Sequence, residues 1–270
     1  MQGAQIEFQG VSFRYPESAT DVFHDLSLSL PSGMVSLLGQ NGTGKTTLLL
    51  LAGGVLMPDG GKVLIRGIDS ADLRDEEERH RVVSFLYQNM EFDTEGSIGE
   101  LLESVHQSGF HAERNPGLVR ELVNAFSLEP VLGRRTQEVS KGELQRTILA
   151  FSLLYGSPLL MMDEPVFALE DRQKEAALEY LRDYARREGI SIYFSLHELE
   201  LSMKYSDHAL LFPKEGAPRI GPTEEILTRD AIENAYQVPM FLLKKREDLY
   251  RRLLIEVAAR KGEVPQSGGE

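Results

Sequence analysis

Residues 34–54 read MVSLLGQNGTGKTTLLLLAGG. A continuous apolar run, Met34 to Leu38, passes directly into a stretch where Gly39, Gly42 and Gly44 alternate with polar residues. Lys45, Thr46 and Thr47 follow, then a second apolar run that stops at Gly53 and Gly54. A short uninterrupted apolar run is how a strand covered on both faces reads. A run closed by glycine reads as a helix with its stop signal. Between them the chain has to curl tightly, which glycine permits because it has no Cβ. Residues 39–46, GQNGTGKT, match the pattern G-x-x-x-x-G-K-[ST], and the chemistry accounts for each part. Phosphate oxygens need several backbone N–H donors aimed into one small space, which a glycine loop supplies. The helix that follows adds its positive end. Lys45 supplies a charge for the β- and γ-phosphates, and Thr46 a hydroxyl for Mg²⁺. Gln40, Asn41, Thr43 and Thr47 complete the cradle.

The remaining pattern sets the fold class. Ile6 and Phe8, then Val11, Phe13 and Tyr15, alternate on either side of Gly10 and predict two short strands around a turn. Leu26, Leu28 and Leu30 alternate again, and KVLIRG is a further short strand, so the opening predicts a small, mostly antiparallel sheet. PLLMM and ISIYFSL repeat the character of MVSLL, and amphipathic segments such as EDRQKEAALEYLRDYARREG, closed by Gly189, lie between them. Strand–helix–strand order implies an α/β core with a parallel sheet. Asn89 to Val139 offers no strand pattern and predicts a mainly helical insertion. The expectation is therefore an α/β phosphate-loop NTPase core with a parallel sheet, an N-terminal antiparallel β subdomain and a helical subdomain. Residues 1–240 form one nucleotide-binding domain, with about 89–145 as the helical insertion. Residues 241–270 form a helical extension with a frayed tail.

Composition narrows the function. The 270 residues carry a net charge of −13, a poor balance for sequence-independent nucleic-acid binding, so no nucleic-acid partner is expected. There is no cysteine, which removes disulfides, thiolate metal sites and cysteine nucleophiles. The longest apolar run, Ile148 to Met162, is interrupted by Ser152, Gly156, Ser157 and Pro158 and is too short to cross a bilayer. The N-terminus lacks the pattern of a signal peptide.

A phosphate cradle alone does not separate a kinase, a GTPase, a motor or a transporter ATPase. LLMMDEP narrows the choice: Asp163, at the tip of a buried strand, can reach Mg²⁺, and Glu164, one residue on, is placed to act as a general base toward water. The third motif is VSKGELQR, Val139 to Arg146, at the start of a helix. With it the chain resembles the ATP-binding subunits of ABC transporters, whose signature is LSGGQ. The resemblance runs over roughly residues 5 to 240 and takes in Tyr15, Gln88, the FALE stretch and His197. It implies that Tyr15 stacks on adenine, that Gln88 touches Mg²⁺ or the attacking water and senses a membrane partner, and that His197 bonds the γ-phosphate. It also implies that Ser140 and Gly142 meet the γ-phosphate held by an opposite subunit. Asp207 and His208 read as structural.

The chain departs from the family pattern in three places. Lys141 replaces the first signature glycine, and its ammonium would assist a phosphate near it. Glu143 replaces the glutamine, carries the same charge sign as phosphate, and is expected to point away from it. FALE, Phe167 to Glu170, stands where the family has SALD, which bears on communication between two sites. The resemblance implies ATP and Mg²⁺ as cofactors, a second ATPase subunit (a homodimer rather than a heterodimer) and a separate integral membrane permease. It places the chain in the cytoplasm, against the inner face of the membrane. Gly221, Pro222, Glu225, Leu227, Thr228, Tyr236 and Val238 resemble the tail of importers for iron–siderophore, haem and cobalamin. The alternative is an ABC-type ATPase that acts without a permease, in a regulatory or nucleic-acid-related role.

Overall fold

The computed structural model describes residues 4–88, 90–111 and 115–243. The chain opens with β1 (Ile6–Phe13), β2 (Phe23–Leu30), β3 (Met34–Leu38), α1 (Lys45–Ala52), β4 (Gly60–Ile65) and β5 (Ile68–Asp69). Next come α2 (Glu76–His80), β6 (Val83–Leu86), α3 (Ile98–Ser108), α4 (Leu118–Ala125) and α5 (Lys141–Leu154). It continues through β7 (Leu159–Met162), α6 (Asp171–Glu188), β8 (Ser191–Ser195), α7 (Leu199–Tyr205) and β9 (His208–Leu211). It finishes with β10 (Arg219–Pro222), α8 (Thr223–Ile226) and α9 (Arg229–Tyr236).

Two sheets result. The first is antiparallel, in the order β2-β1-β4-β5. Its long strand corrects the two-strand expectation: Ile6 to Phe13 is one strand, not two around a turn. Ile6, Phe8, Val11 and Phe13 are all buried, although strict alternation would turn Val11 outward after Phe8. The pairing register with β2 shifts between Phe8 and Val11, and Gly10 sits at φ +60°. A bulge inserts the extra residue and returns Val11 to the core face.

The second sheet runs β10-β9-β3-β8-β7-β6, parallel except for the β10–β9 pair. Every residue of β3, β7 and β8 is buried, the reason these strands read as continuous apolar runs. Their side chains alternate between two cores. Leu159, Met161 and Tyr193 face the core shared with α1 and the antiparallel sheet. Leu160, Met162, Ile192 and Phe194 face the core shared with α3 to α6. Burying each such side chain contributes about 1.5–3 kcal/mol, so one sheet holds both halves of the molecule together.

Between Met90 and Val139 the described residues contain helices and turns and no strand. Leu118, Leu122 and Phe126, spaced four apart, all face the core under α5. Asp207 holds the entry to β3: its carboxylate accepts the Met34 N–H at 2.9 Å and pairs with Arg186 at 2.9 Å. His208 lies in β9, across from Val35 and Pro222. The residues from Lys244 onward, including most of the expected helical extension, lie outside the described residues.

Candidate functional site

The parallel strands decide where the chemistry collects. β3, β6, β7 and β8 all point the same way, so their carboxyl ends share one edge. Residues 39–44 leave the end of β3, Gln88 follows β6, Asp163 follows β7, and His197 follows β8. Open parallel sheets bind ligands along this edge.

The loop after β3 depends on glycine in two places. Gly39 has φ +148°, and a Cβ there would lie 2.8 Å from both the Cβ and the carbonyl oxygen of Phe212. Gly44 caps α1 at φ +99°, and a Cβ there would lie 2.9 Å from the Phe23 ring. Thr43 Oγ1 donates to the Gln40 carbonyl at 2.9 Å and closes the curl. Lys45 is buried, and its Nζ donates to the carbonyls of Gly39 and Gln40, each at 2.9 Å. Burial pushes the Lys45 ammonium down from its ordinary value, and the charges of Glu164 and Asp163 oppose that shift. A desolvated cation against a loop of backbone amides has its greatest gain from an anion in the same space.

Thr46 Oγ1 donates to Asp163 Oδ2 at 2.7 Å. Asp163 is 5% exposed, and its other oxygen accepts the Ser195 hydroxyl at 2.5 Å. The same Ser195 oxygen accepts the Glu164 N–H at 2.9 Å. Glu164 sits at φ +50°, a left-handed backbone that a glutamate adopts only when its surroundings fix it. One carboxylate oxygen accepts the Gln88 amide at 2.7 Å, and the other contacts His197 Nε2 at 2.6 Å. Gln88, Glu164 and His197 thus come together from three different strand ends. Thr46 and Asp163 are oxygen donors suited to a hard cation. Among the described residues no group of three or more His, Cys, Asp or Glu side chains could hold a metal. This pair therefore fits Mg²⁺ that takes its remaining ligands from phosphate and water, the habit of that ion in nucleotide sites.

Tyr15 lies beside the same loop. Its ring is 38% exposed, stands edge-on to Phe13, and its hydroxyl is 3.2 Å from Thr47 Oγ1. It is not a core tyrosine, and its position beside α1 leaves a ring face for a planar ligand. Asn41 and Gly42 are exposed at the loop tip.

The signature turn is built differently. Ser140 caps α5, and its N–H and hydroxyl both donate to Glu143 Oε2 at 2.8 Å. The Glu143 N–H returns a bond to Ser140 Oγ at 3.3 Å. This is a reciprocal capping box. The Glu143 side chain turns back onto Ser140, because the free N–H groups of a helix start attract a carboxylate. These bonds hold the Glu143 carboxyl below its ordinary value. Gly142 packs on the next loop, where a Cβ would lie 3.2 Å from the Ala168 carbonyl, and Gln145 Nε2 donates to the Pro165 carbonyl at 2.7 Å. Lys141 pairs with Glu91 at 3.2 Å on the surface, an exposed contact worth about 0–1 kcal/mol. Phe167 is 46% exposed in the same loop.

Two contributors escaped the sequence reading. Ser195 fastens Asp163 and the Glu164 backbone together; its signal was a serine inside an otherwise apolar buried run. Tyr236 accepts the Gly39 N–H at 3.1 Å, a contact across the fold that no local spacing announces.

The family model described as ABC transporter matches residues 23–167. The nickel import ATP-binding protein NikO of Rhodobacter capsulatus is 33% identical over 236 residues, covering 84% of this chain and 92% of that relative. An ABC transporter ATP-binding protein of Pyrococcus horikoshii is 33% identical over 227 residues, covering 83% of this chain and 86% of the relative. The cobalamin import ATP-binding protein BtuD of Halobacterium salinarum is 27% identical over 223 residues, 81% of this chain and 56% of that relative. Among solved structures, an ATP-binding subunit of an ABC transporter superposes with a TM-score of 0.72 at 24% identity, covering 90% of this chain and 98% of that one. A dimeric ATP-binding cassette bound to ADP and phosphate gives 0.69 at 20% identity, covering 81% and 98%. At these identities the superpositions speak for the fold. Among the described residues no helix is long and apolar enough to cross a membrane.

Proposed function

This chain belongs to the ABC transporter family, as an ATP-binding cassette, and from that premise we propose that it hydrolyses ATP as one half of a dimer that drives a separate membrane permease. The observation that carries the proposal is Glu164, fixed one residue beyond Asp163 with its two oxygens facing Gln88 and His197. In this reading the backbone of residues 39–46 and Lys45 bind the phosphates of ATP, and Tyr15 stacks on the base. Mg²⁺, held by Thr46 and Asp163, would supply charge neutralisation between the phosphates. Glu164 takes a proton from water as the water oxygen bonds to the γ-phosphorus. The bond from that phosphorus to the β–γ bridging oxygen breaks, leaving ADP and phosphate. His197 orients the γ-phosphate. Gln88 leaves Glu164 to meet the water, which ties turnover to whatever moves residues 88–92.

The Ser140 bonds run within the α5 turn, and Gly142 packs on the loop after Glu164. In the proposed dimer they face the γ-phosphate of the other copy. The permease is a separate integral membrane chain docking near Gln88, with this subunit on the cytoplasmic face. A metal or metal chelate is the cargo class, supported by relatives named for nickel and cobalamin import and by the tail around Tyr236 and Val238.

Glu164→Gln provides the test. An amide cannot accept the proton, so hydrolysis should fall by about 10²–10⁴-fold while ATP still binds. The uncleaved γ-phosphate should then hold two chains together in size-exclusion chromatography with ATP but not with ADP, and adding Ser140→Arg should abolish that dimer. Unchanged turnover by the Gln variant would overturn the assignment of the base. A dimer that survives Ser140→Arg would remove the signature from the interface.

A further inference from the structure

The phosphate loop is gripped from outside by α9. Tyr236 Oη accepts the Gly39 N–H at 3.1 Å. Gln40 Nε2 donates to the Tyr236 carbonyl at 2.5 Å and reaches the Ala235 carbonyl at 3.5 Å. The first two residues of the loop therefore both donate to the last turn of α9, one through its backbone and one through its side chain. Gln237, at φ +55°, ends the helix there. The helix itself is anchored. Ile232 and Ala235 are buried with Leu38, Leu199, Ala209 and Leu211, so α9 rests on the residue that immediately precedes Gly39. Glu233 accepts the Met240 N–H at 2.8 Å and the Arg229 guanidinium at 3.0 Å, which braces the segment beyond the helix.

From these contacts we infer that Tyr236 and Gln40 form a clamp through which α9 sets the curl of the phosphate loop, Tyr236 acting as a positioning residue for nucleotide binding. The inference rests on the reading of residues 39–46 as the phosphate site. Its physical basis is a competition for Lys45. Without phosphate, the ammonium holds the loop from within through the Gly39 and Gln40 carbonyls. When that ammonium turns to a phosphate, the internal tether weakens at the moment the amides must stay aimed at one point. A second tether on the same two residues, through the Gly39 N–H and the Gln40 side chain, keeps the loop in its binding shape, and preorganisation of this kind appears as affinity. The Gly39 N–H is directed outward to the tyrosine and is not one of the donors left to a ligand. A mobile side chain in place of Tyr236 would let that peptide rotate. Because the chain runs on from α9 through residues 237–243, a partner or segment that pulls on this end would act on nucleotide affinity without touching the nucleotide.

Tyr236→Phe keeps the ring and removes only the oxygen. Loss of one such bond should weaken the dissociation constant for ATP about three- to tenfold. Hydrogen–deuterium exchange should quicken in peptides covering residues 38–46 while β7, β8 and α9 keep their protection. Gln40→Ala should give a similar change, and the double variant less than the product of the two. Lys45→Ala, run alongside, separates the two ideas: if it still binds ATP normally, the phosphate site is misassigned. If Lys45→Ala loses binding while Tyr236→Phe leaves both affinity and local exchange unchanged, the clamp is wrong. Faster exchange spread over α9 and β9, with no excess in the loop, would likewise overturn it by making Tyr236 a packing residue alone.

Discussion

The loop at residues 39–46 and the turn at residues 140–143 both open helices, whose first backbone N–H groups suit an anion. They are otherwise opposites. The first is anchored at its base, with a buried lysine, glycines at positive φ and outside support from Phe212 and Tyr236. The second is exposed and internally satisfied, its donors already bonded to a carboxylate three residues along the same helix. A site that binds by itself needs the first construction, with its geometry fixed before the ligand arrives. A site that completes another molecule's pocket needs a surface, and a surface turn has to be stable while unengaged. The capping box meets that requirement, at the cost of a like charge where a phosphate would arrive.

The largest effect expected on this contrast is at Lys45. Replacing it with alanine removes the buried cation and leaves the Gly39 and Gln40 carbonyls without their donor. Two lost charge-assisted contacts to phosphate, at about 1.5–3 kcal/mol each, imply a loss of nucleotide affinity on the order of 10²–10⁴-fold. Titration with a fluorescent ATP analogue measures this directly. An unchanged dissociation constant would break the comparison at its first term.

A smaller loss is expected at Tyr15, on the rim of the deep site. Base stacking on an aromatic ring contributes about 1–3 kcal/mol. Tyr15→Ala should weaken ATP accordingly and leave inorganic triphosphate nearly unaffected. Equal weakening of both would make Tyr15 a support for Thr47, whose hydroxyl it contacts, and not a base platform.

How far the sequence foresaw these regions follows the same divide. The deep site was legible because each of its parts is local: an apolar run, a glycine loop, a lysine, and carboxylates at the end of another apolar run. The parallel sheet then had only to bring strand ends together. Contacts that cross the fold were not legible. Tyr236 is nearly two hundred residues from Gly39, and its pattern pointed only to a kind of importer. Gly10 was ambiguous because a turn and a bulge both call for glycine, and the burial of Val11 decided it. Ser-x-x-Glu at residues 140–143 is a capping pattern in its own right. Its carboxylate answers to the helix start within the single chain, a local role distinct from any toward a phosphate that belongs to another molecule.

The smallest effect sharpens the comparison most. Glu143 accepts both the Ser140 N–H and hydroxyl, and these bonds keep its carboxyl below its ordinary value, so it stays ionised at neutral pH. A depressed carboxyl contributes stability above its ordinary value that is lost only as pH falls through the lowered one. Protonation therefore does not relieve the charge in the working range. Glu143→Gln keeps an acceptor oxygen for the capping box and removes the charge. The helix should lose the attraction of an anion to its positive end, about 0.3–1 kcal/mol for an exposed group. The melting temperature should fall by a few degrees at most, on the scale of about 2–4 °C per kcal/mol for a chain this size. The ATP-held dimer should move the other way. With no carboxylate to displace, the approaching γ-phosphate meets a neutral amide, and the Glu164→Gln background should dimerise at several-fold lower protein concentration when Glu143→Gln is added. Since the repulsion removed lies at the surface, the gain should be larger at low salt and shrink toward nothing near 1 M, where screening acts within about 3 Å. Sedimentation velocity across a salt series measures both the shift and its slope. A dimer weakened by Glu143→Gln at every ionic strength would show that the carboxylate positions Ser140 for the partner's phosphate, and the two halves would then be alike in needing a prearranged donor.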